Sequence, residues 1–134
     1  MDNGIKLAVN GTLMRGLELN QNLLNAGAEF VYETVTEPAY RLWSIGDRYP
    51  AMQRVHQGGE AIAVEIWDVP KPSLASILMQ EPPGLCIGKI HLEDGETVLG
   101  VLGEHWLCET HHEITEFRGW RAYKSQHKSY QPIH

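Results

Sequence analysis

Glu81 closes the stretch "KPSLASILMQE", directly before Pro82-Pro83. A carboxylate at the end of a helix faces the negative end of the helix dipole, and that mild cost asks for a reason. In a pocket, burial would raise its pKa and suit it to general acid/base work. On the surface it would simply lose roughly a few tenths of a kcal/mol, which is the more common case. The second candidate is Asn10-Gly11-Thr12, where the apolar run "KLAV" stops. Successive backbone N–H groups after a strand end can form a nest for a carboxylate. Gly11 can equally do no more than supply a positive φ for a tight turn. On the residues alone the plain turn is favoured, because a single glycine turn is a weak signal.

Other chemistry-bearing residues point less far. Glu65 lies in an apolar strand pattern, and alternation turns it away from the face of Val64 and Ile66, so a solvated or salt-bridged side chain is expected. The run "HWLCETHHE" offers imidazole, thiolate and carboxylate, from His105 to Glu113. A zinc site needs three or four ligands converging tetrahedrally, and this spacing matches no zinc pattern, so an incidental surface patch and no metal are expected. No G-x-S-x-G elbow and no activated Ser or Cys is recognisable. Phosphate-loop and dinucleotide patterns are absent too, and no cofactor is expected.

These residues need a scaffold, and 134 residues suit one domain with one core. A hydrophobic share of 43% is enough to fill that core and argues against disorder. The net charge is −6, and the eleven Lys and Arg form no concentrated patch, which argues against nucleic-acid binding. Cys86 and Cys108 have no CxxC spacing and read as buried thiols. Neither a secretory pattern nor a run of about 18 apolar residues occurs, so no membrane partner is expected and the cytoplasm is the natural location.

Residues 5–9 read as a strand. Leu19, Leu23 and Leu24 recur at helical spacing, with Asn20 able to cap that helix and Gly27 ending it. Residues 28–38 and 39–45 alternate as strands, and residues 46–50 read as a loop. Residues 52–56 and 61–69 read as a hairpin through Gly58-Gly59, its second arm the best candidate for a central strand. Pro72 suits a first helical turn, and Leu74, Ile77 and Leu78 follow at helical spacing until Pro82-Pro83 stops them. Asp94-Gly95 marks a second hairpin. A turn and short helix should then bury Phe117, Trp120 and Tyr123. The fold class expected is α+β: six or seven strands curled into a small mixed β-barrel with two or three short helices. The single domain should span 1–125, with 126–134 a loose tail.

Taken in order, "VNGTLMRGLELNQNLLNAGA", "GGEAIAVEIWDVP", "PGLCIGKIHLEDGETVLGVLGE" and "FRGWRAY" resemble the C-terminal domain of allophanate hydrolases over nearly the whole chain. With no amidase portion before it, the chain looks like a free-standing version of that domain. The resemblance implies a fold like the γ-glutamylcyclotransferases, with an anion-binding turn after the first strand. It also implies handling of a small carboxylate or carbamate of urea-type nitrogen metabolism, and assistance with its decarboxylation. On that basis Asn10, Gly11, Thr12, Leu13 and Met14 hold the anion, Glu81 moves a proton, and Arg121 and Tyr123 line or brace the pocket. The cyclotransferases carry an aromatic residue where Asn10 stands, and a glycine where Pro82 follows Glu81. The allophanate hydrolase domain commonly lacks a glutamate here. Two alternatives accompany this reading: γ-glutamylcyclotransfer using Glu81, and a non-catalytic module that docks an amidase.

Overall fold

The computed structural model describes residues 4–130. Eight strands and four α-helices follow in the order β1 (Gly4–Val9), α1 (Asn20–Asn25), β2 (Glu29–Val35), β3 (Tyr40–Ile45), β4 (Tyr49–Arg54), β5 (Ala63–Pro70), α2 (Leu74–Met79), β6 (Leu85–His91), β7 (Thr97–Gly103), α3 (His105–Cys108), β8 (His112–Glu113) and α4 (Trp120–Tyr130). Short 3-10 turns at Lys71–Ser73 and Thr115–Phe117 lead into α2 and α4.

Two sheets form. The larger has the order β2-β5-β1-β7-β6, and the smaller is β4-β3-β8. Within the larger, only the β1–β7 pairing is parallel, through Leu7↔Leu99 and Ala8↔Gly100. β1 is therefore the middle strand. Leu7, Ala8 and Val9 are buried, and the core continues through Ile62, Val64 and Ile66. Among the described residues no ladder closes this sheet into a barrel. Its two edge strands meet only beyond their ends, at the isolated bridge Thr36↔Leu92.

Local signals placed several elements well. Gly27, at φ 83°, follows α1, and the bonds Gly27 N–H to Leu24 (3.1 Å) and Ala28 N–H to Leu23 (3.0 Å) complete a Schellman motif. β6 and β7 pair from Leu85↔Gly103 to His91↔Thr97 around Asp94-Gly95, as that dipeptide leads one to expect. α2 forms with Pro72 in the preceding 3-10 turn and Ile77 buried.

Other expectations are corrected. Residues 52–56 and 61–69 are not a hairpin: β4 pairs with β3, whereas β5 lies between β2 and β1 in the other sheet. The turn that makes β4 is Gly46-Asp47, both residues at positive φ (62° and 60°), inside the stretch read as a loop. Positive φ at both central positions suits the strand twist of a tight hairpin. Gly59 serves a different end: a Cβ there would sit 2.6 Å from the Ala39 carbonyl carbon, so it allows two backbones to approach. Asn20 does not cap α1. It sits inside the helix and its amide donates to the Leu13 carbonyl at 2.8 Å. Cys108 is buried, but Cys86 only partly so. α4 spans Trp120–Tyr130, and residues 131–134, the end of the stretch read as a tail, lie outside the described residues. Among the described residues no helix is long and apolar enough to cross a membrane.

Candidate functional site

The chain leaves β1 at Val9 and turns at once. Asn10 is buried, and its side-chain amide donates to the Val101 carbonyl at 3.0 Å, which anchors the start of the turn to β7. Three carbonyls then find donors: Gly11 accepts from Met14 N–H (2.9 Å), Thr12 from Leu19 N–H (2.9 Å) and Leu13 from Asn20. The amides of Gly11, Thr12 and Leu13 donate to no acceptor among the described residues. The turn is thus fixed by its oxygens and leaves three successive nitrogens without an acceptor among the described residues, as a nest for an anion requires.

Gly11 is demanded by packing. A Cβ at this position would lie 2.5 Å from Cδ of Pro50, part of a rigid ring. Gly11→Ala is expected to lower stability by about 1–3 kcal/mol, the usual range for an overpacked contact. Thermal unfolding at neutral pH would measure it.

Glu81 follows the last turn of α2, its N–H bonded to the Leu78 carbonyl at 3.0 Å. Its side chain enters a small cavity with Val9, Asn10, Gly11, Thr12, Leu13, Tyr49, Pro50, Leu85 and Val101. Oε2 is buried and finds no hydrogen-bond partner. Burial without compensation pushes the carboxyl up to about 7. Near neutral pH this group therefore holds its proton about half the time, the condition that suits a general acid/base. The cavity itself measures about 10 Å³, room for about one water. A larger ligand enters only when wall side chains move.

Met14, Arg121 and Tyr123 lie outside this cavity. Their roles differ. The Met14 amide is consumed in the turn. Arg121 Nη2 donates to the Arg15 carbonyl (2.6 Å) and to Glu65 Oε2 (3.1 Å). Tyr123 donates its hydroxyl to Asp47 Oδ1, and Lys124 Nζ donates to the Asp47 carbonyl at 2.9 Å. α4 thus braces both the segment after the first turn and the β3–β4 turn that carries Tyr49. Arg121 and Tyr123 brace the site and do not line it.

Glu65 is the hub of that bracing. It is buried, so the solvated alternative is excluded, and the ion pair is what forms. It accepts from Arg15 N–H (2.9 Å), Arg15 Nε (3.2 Å), Trp67 Nε1 (3.1 Å) and Arg121. Burial would raise this carboxyl, but those four donors outweigh it and hold its pKa below the ordinary value. Arg15 also pairs with Glu33 and stacks 3.7 Å from the Phe30 ring centroid.

The "HWLCETHHE" residues disperse. His105 pairs with Glu109 at 3.4 Å, His111 Nδ1 lies 2.6 Å from the Leu107 carbonyl, and Glu113 accepts from the Thr115 hydroxyl at 2.7 Å. Among the described residues no three His, Cys, Asp or Glu side chains gather around a point that could hold a metal ion.

The site residues that sequence reasoning missed are Val9, Tyr49, Pro50, Leu85 and Val101. For Tyr49 and Pro50 the available signal was Gly46-Asp47, which read as a hairpin turn would have started a strand at Tyr49.

The family model described as "Allophanate hydrolase C-terminal domain" matches residues 5–125. The urea amidolyase of Saccharomyces cerevisiae is 32% identical over 126 residues, covering 89% of this chain but only 7% of the yeast protein. A crystal structure of a uropathogenic E. coli-specific protein is 58% identical, with a TM-score of 0.90, and the match covers 91% of this chain and 96% of that one. The Kluyveromyces lactis allophanate hydrolase is 30% identical, with a TM-score of 0.86 over 92% of this chain and 21% of its own. An uncharacterised protein of Pyrococcus horikoshii (21% identical, TM-score 0.72, covering 96% of this chain and 99% of its own) and an aig2-like protein of Mus musculus (19% identical, TM-score 0.57, covering 76% and 77%) share the fold alone.

Proposed function

This chain belongs to the allophanate hydrolase C-terminal domain family, and from that premise we propose that its cavity binds a small carboxylate or carbamate of urea-type nitrogen metabolism and assists its decarboxylation. The turn amides of residues 11–13 receive the carboxylate that is retained. Glu81, protonated, faces the nitrogen that bears the carboxylate to be lost. The C–N bond breaks, its electron pair passes to nitrogen, nitrogen takes the Glu81 proton, and carbon dioxide leaves. Glu81 then regains a proton from solvent. The carrying observation is that one cavity is lined by the turn residues 11–13, whose amides have no acceptor among the described residues, and by Glu81, whose buried Oε2 has no partner and whose carboxyl is pushed up to about 7. Apolar walls from Val9, Leu13, Leu85 and Val101 keep both interactions out of water, where they are stronger.

Binding of malonate, a small dicarboxylate, tests this reading by calorimetry. A carboxylate beside Glu81 is compatible with the protonated acid and repelled by the ionised one, so affinity should fall as pH rises through about 7. The expected loss between pH 6 and pH 8.5 is on the order of tenfold. No binding at either pH would overturn the reading. That outcome would favour docking of an amidase, a role consistent with relatives that carry this stretch as a small part of much longer chains. Cyclotransfer has less support, because Asn10 stands where an aromatic residue is expected and its amide is committed to Val101.

A further inference from the structure

We propose that Tyr49 is a second side chain, beside Glu81, that contacts the ligand of this cavity, its phenol hydroxyl donating a hydrogen bond to the bound carboxylate. The inference rests on the small-carboxylate reading above. It follows first from elimination among the walls. Val9, Leu13, Pro50, Leu85 and Val101 have no polar side-chain atoms, and Gly11 has no side chain. The Asn10 amide donates to Val101 and approaches Met52 Sδ at 3.8 Å, so its donors are engaged. Thr12 and Tyr49 are then the side-chain donors left, with Glu81 as their counterpart. Thr12 also borders a wider groove, beside Arg48 and Lys124, so its hydroxyl is divided between two openings.

Tyr49 is placed firmly. It pairs with Ile45 as the first residue of β4, separated from the Gly46-Asp47 turn by Arg48 alone. That turn is fastened from both sides: Asp47 N–H donates to Ser44 Oγ at 3.0 Å, and α4 holds it through Tyr123 and Lys124. A rigid aromatic on a braced hairpin suits ligand contact, since little freedom is lost on binding. The Tyr49 hydroxyl has no hydrogen-bond partner among the described residues. Burial raises its pKa, Arg48 opposes that, and the charge of Glu81 adds to it, so the two groups lie within electrostatic reach of each other.

The test compares Tyr49→Phe with the unaltered protein in malonate calorimetry at pH 6, with circular dichroism confirming the fold. A lost hydrogen bond to a charged ligand should weaken affinity about tenfold or more. Unchanged affinity in the variant would overturn the proposal. Should the unaltered protein itself bind no malonate, the carboxylate reading fails, and Tyr49 is judged separately. Its phenol would then be titrated by 13C-tyrosine NMR with and without Glu81→Gln. A downward shift of the Tyr49 pKa in that variant supports a shared cavity. No shift overturns it.

Discussion

Glu81→Gln should stabilise the protein at pH 8 by about 3 kcal/mol, leave it unchanged at pH 4, and abolish proton transfer. The carboxyl stands at about 7 in the fold against an ordinary 4.5, and at roughly 1.4 kcal/mol per unit that difference comes to about 3 kcal/mol. Its sign follows from proton binding. Between 4.5 and about 7 the folded state holds more protons than the unfolded chain, so stability falls as pH rises. Below 4.5 both states are protonated and no penalty exists. Glutamine keeps the shape and cannot ionise, so its stability curve should match that of Glu81 in acid and lie above it in base. Urea unfolding at pH 4, 6 and 8 measures the divergence, and parallel curves would mean that Glu81 is not held in the cavity. A residue that destabilises its own fold near neutral pH is the pattern left when function is retained against stability.

Glu65→Ala should destabilise by about 3 kcal/mol at neutral pH. Removing one member of a buried ion cluster leaves the others uncompensated, typically at about 3–5 kcal/mol. The lower end applies because Arg15 and Arg121 remain 42% and 48% exposed and can rehydrate, whereas the Trp67 N–H stays orphaned near the core. Glu65→Gln, keeping one acceptor, should cost about half as much. The pH dependence is opposite to that of Glu81. The Glu65 pKa is depressed, so its contribution is present above the unfolded value and is lost as pH falls through the folded one. Chemical denaturation of both variants from pH 3 to 7 should show the difference from the unaltered protein shrinking in acid. A constant difference would assign the effect to packing alone.

The contrast between these two glutamates marks how far the sequence could be read. Alternation set Glu65 apart from Val64 and Ile66, which is correct, but its partners Arg15 and Arg121 lie 50 and 56 residues away. Whether a side chain facing away from the core is covered depends on such distant segments. Glu81 was legible as a carboxylate at an unfavourable helix end, and its proximity to the Gly11 turn followed from family resemblance. Its burial depended on β4 and β6, which no local pattern near position 81 reports. Elements with their own punctuation, such as the Schellman end of α1 at Gly27 and the Asp94-Gly95 hairpin, could be read directly. Gly58-Gly59 misled because glycine signals both turns and close backbone approach, and only the Ala39 contact distinguishes them. That error moved β4 to the wrong partner and took Tyr49 out of view.

The bracing by α4 also sets an order of assembly during synthesis. The turn after β1 is synthesised before α4, and its Arg15 carbonyl and the Asp47 turn wait for Arg121, Tyr123 and Lys124. Domains generally mature as units as the chain grows from its N-terminus. A nascent chain that has already paired β1 with β5 therefore still lacks the contacts by which α4 fastens the segments beside the cavity.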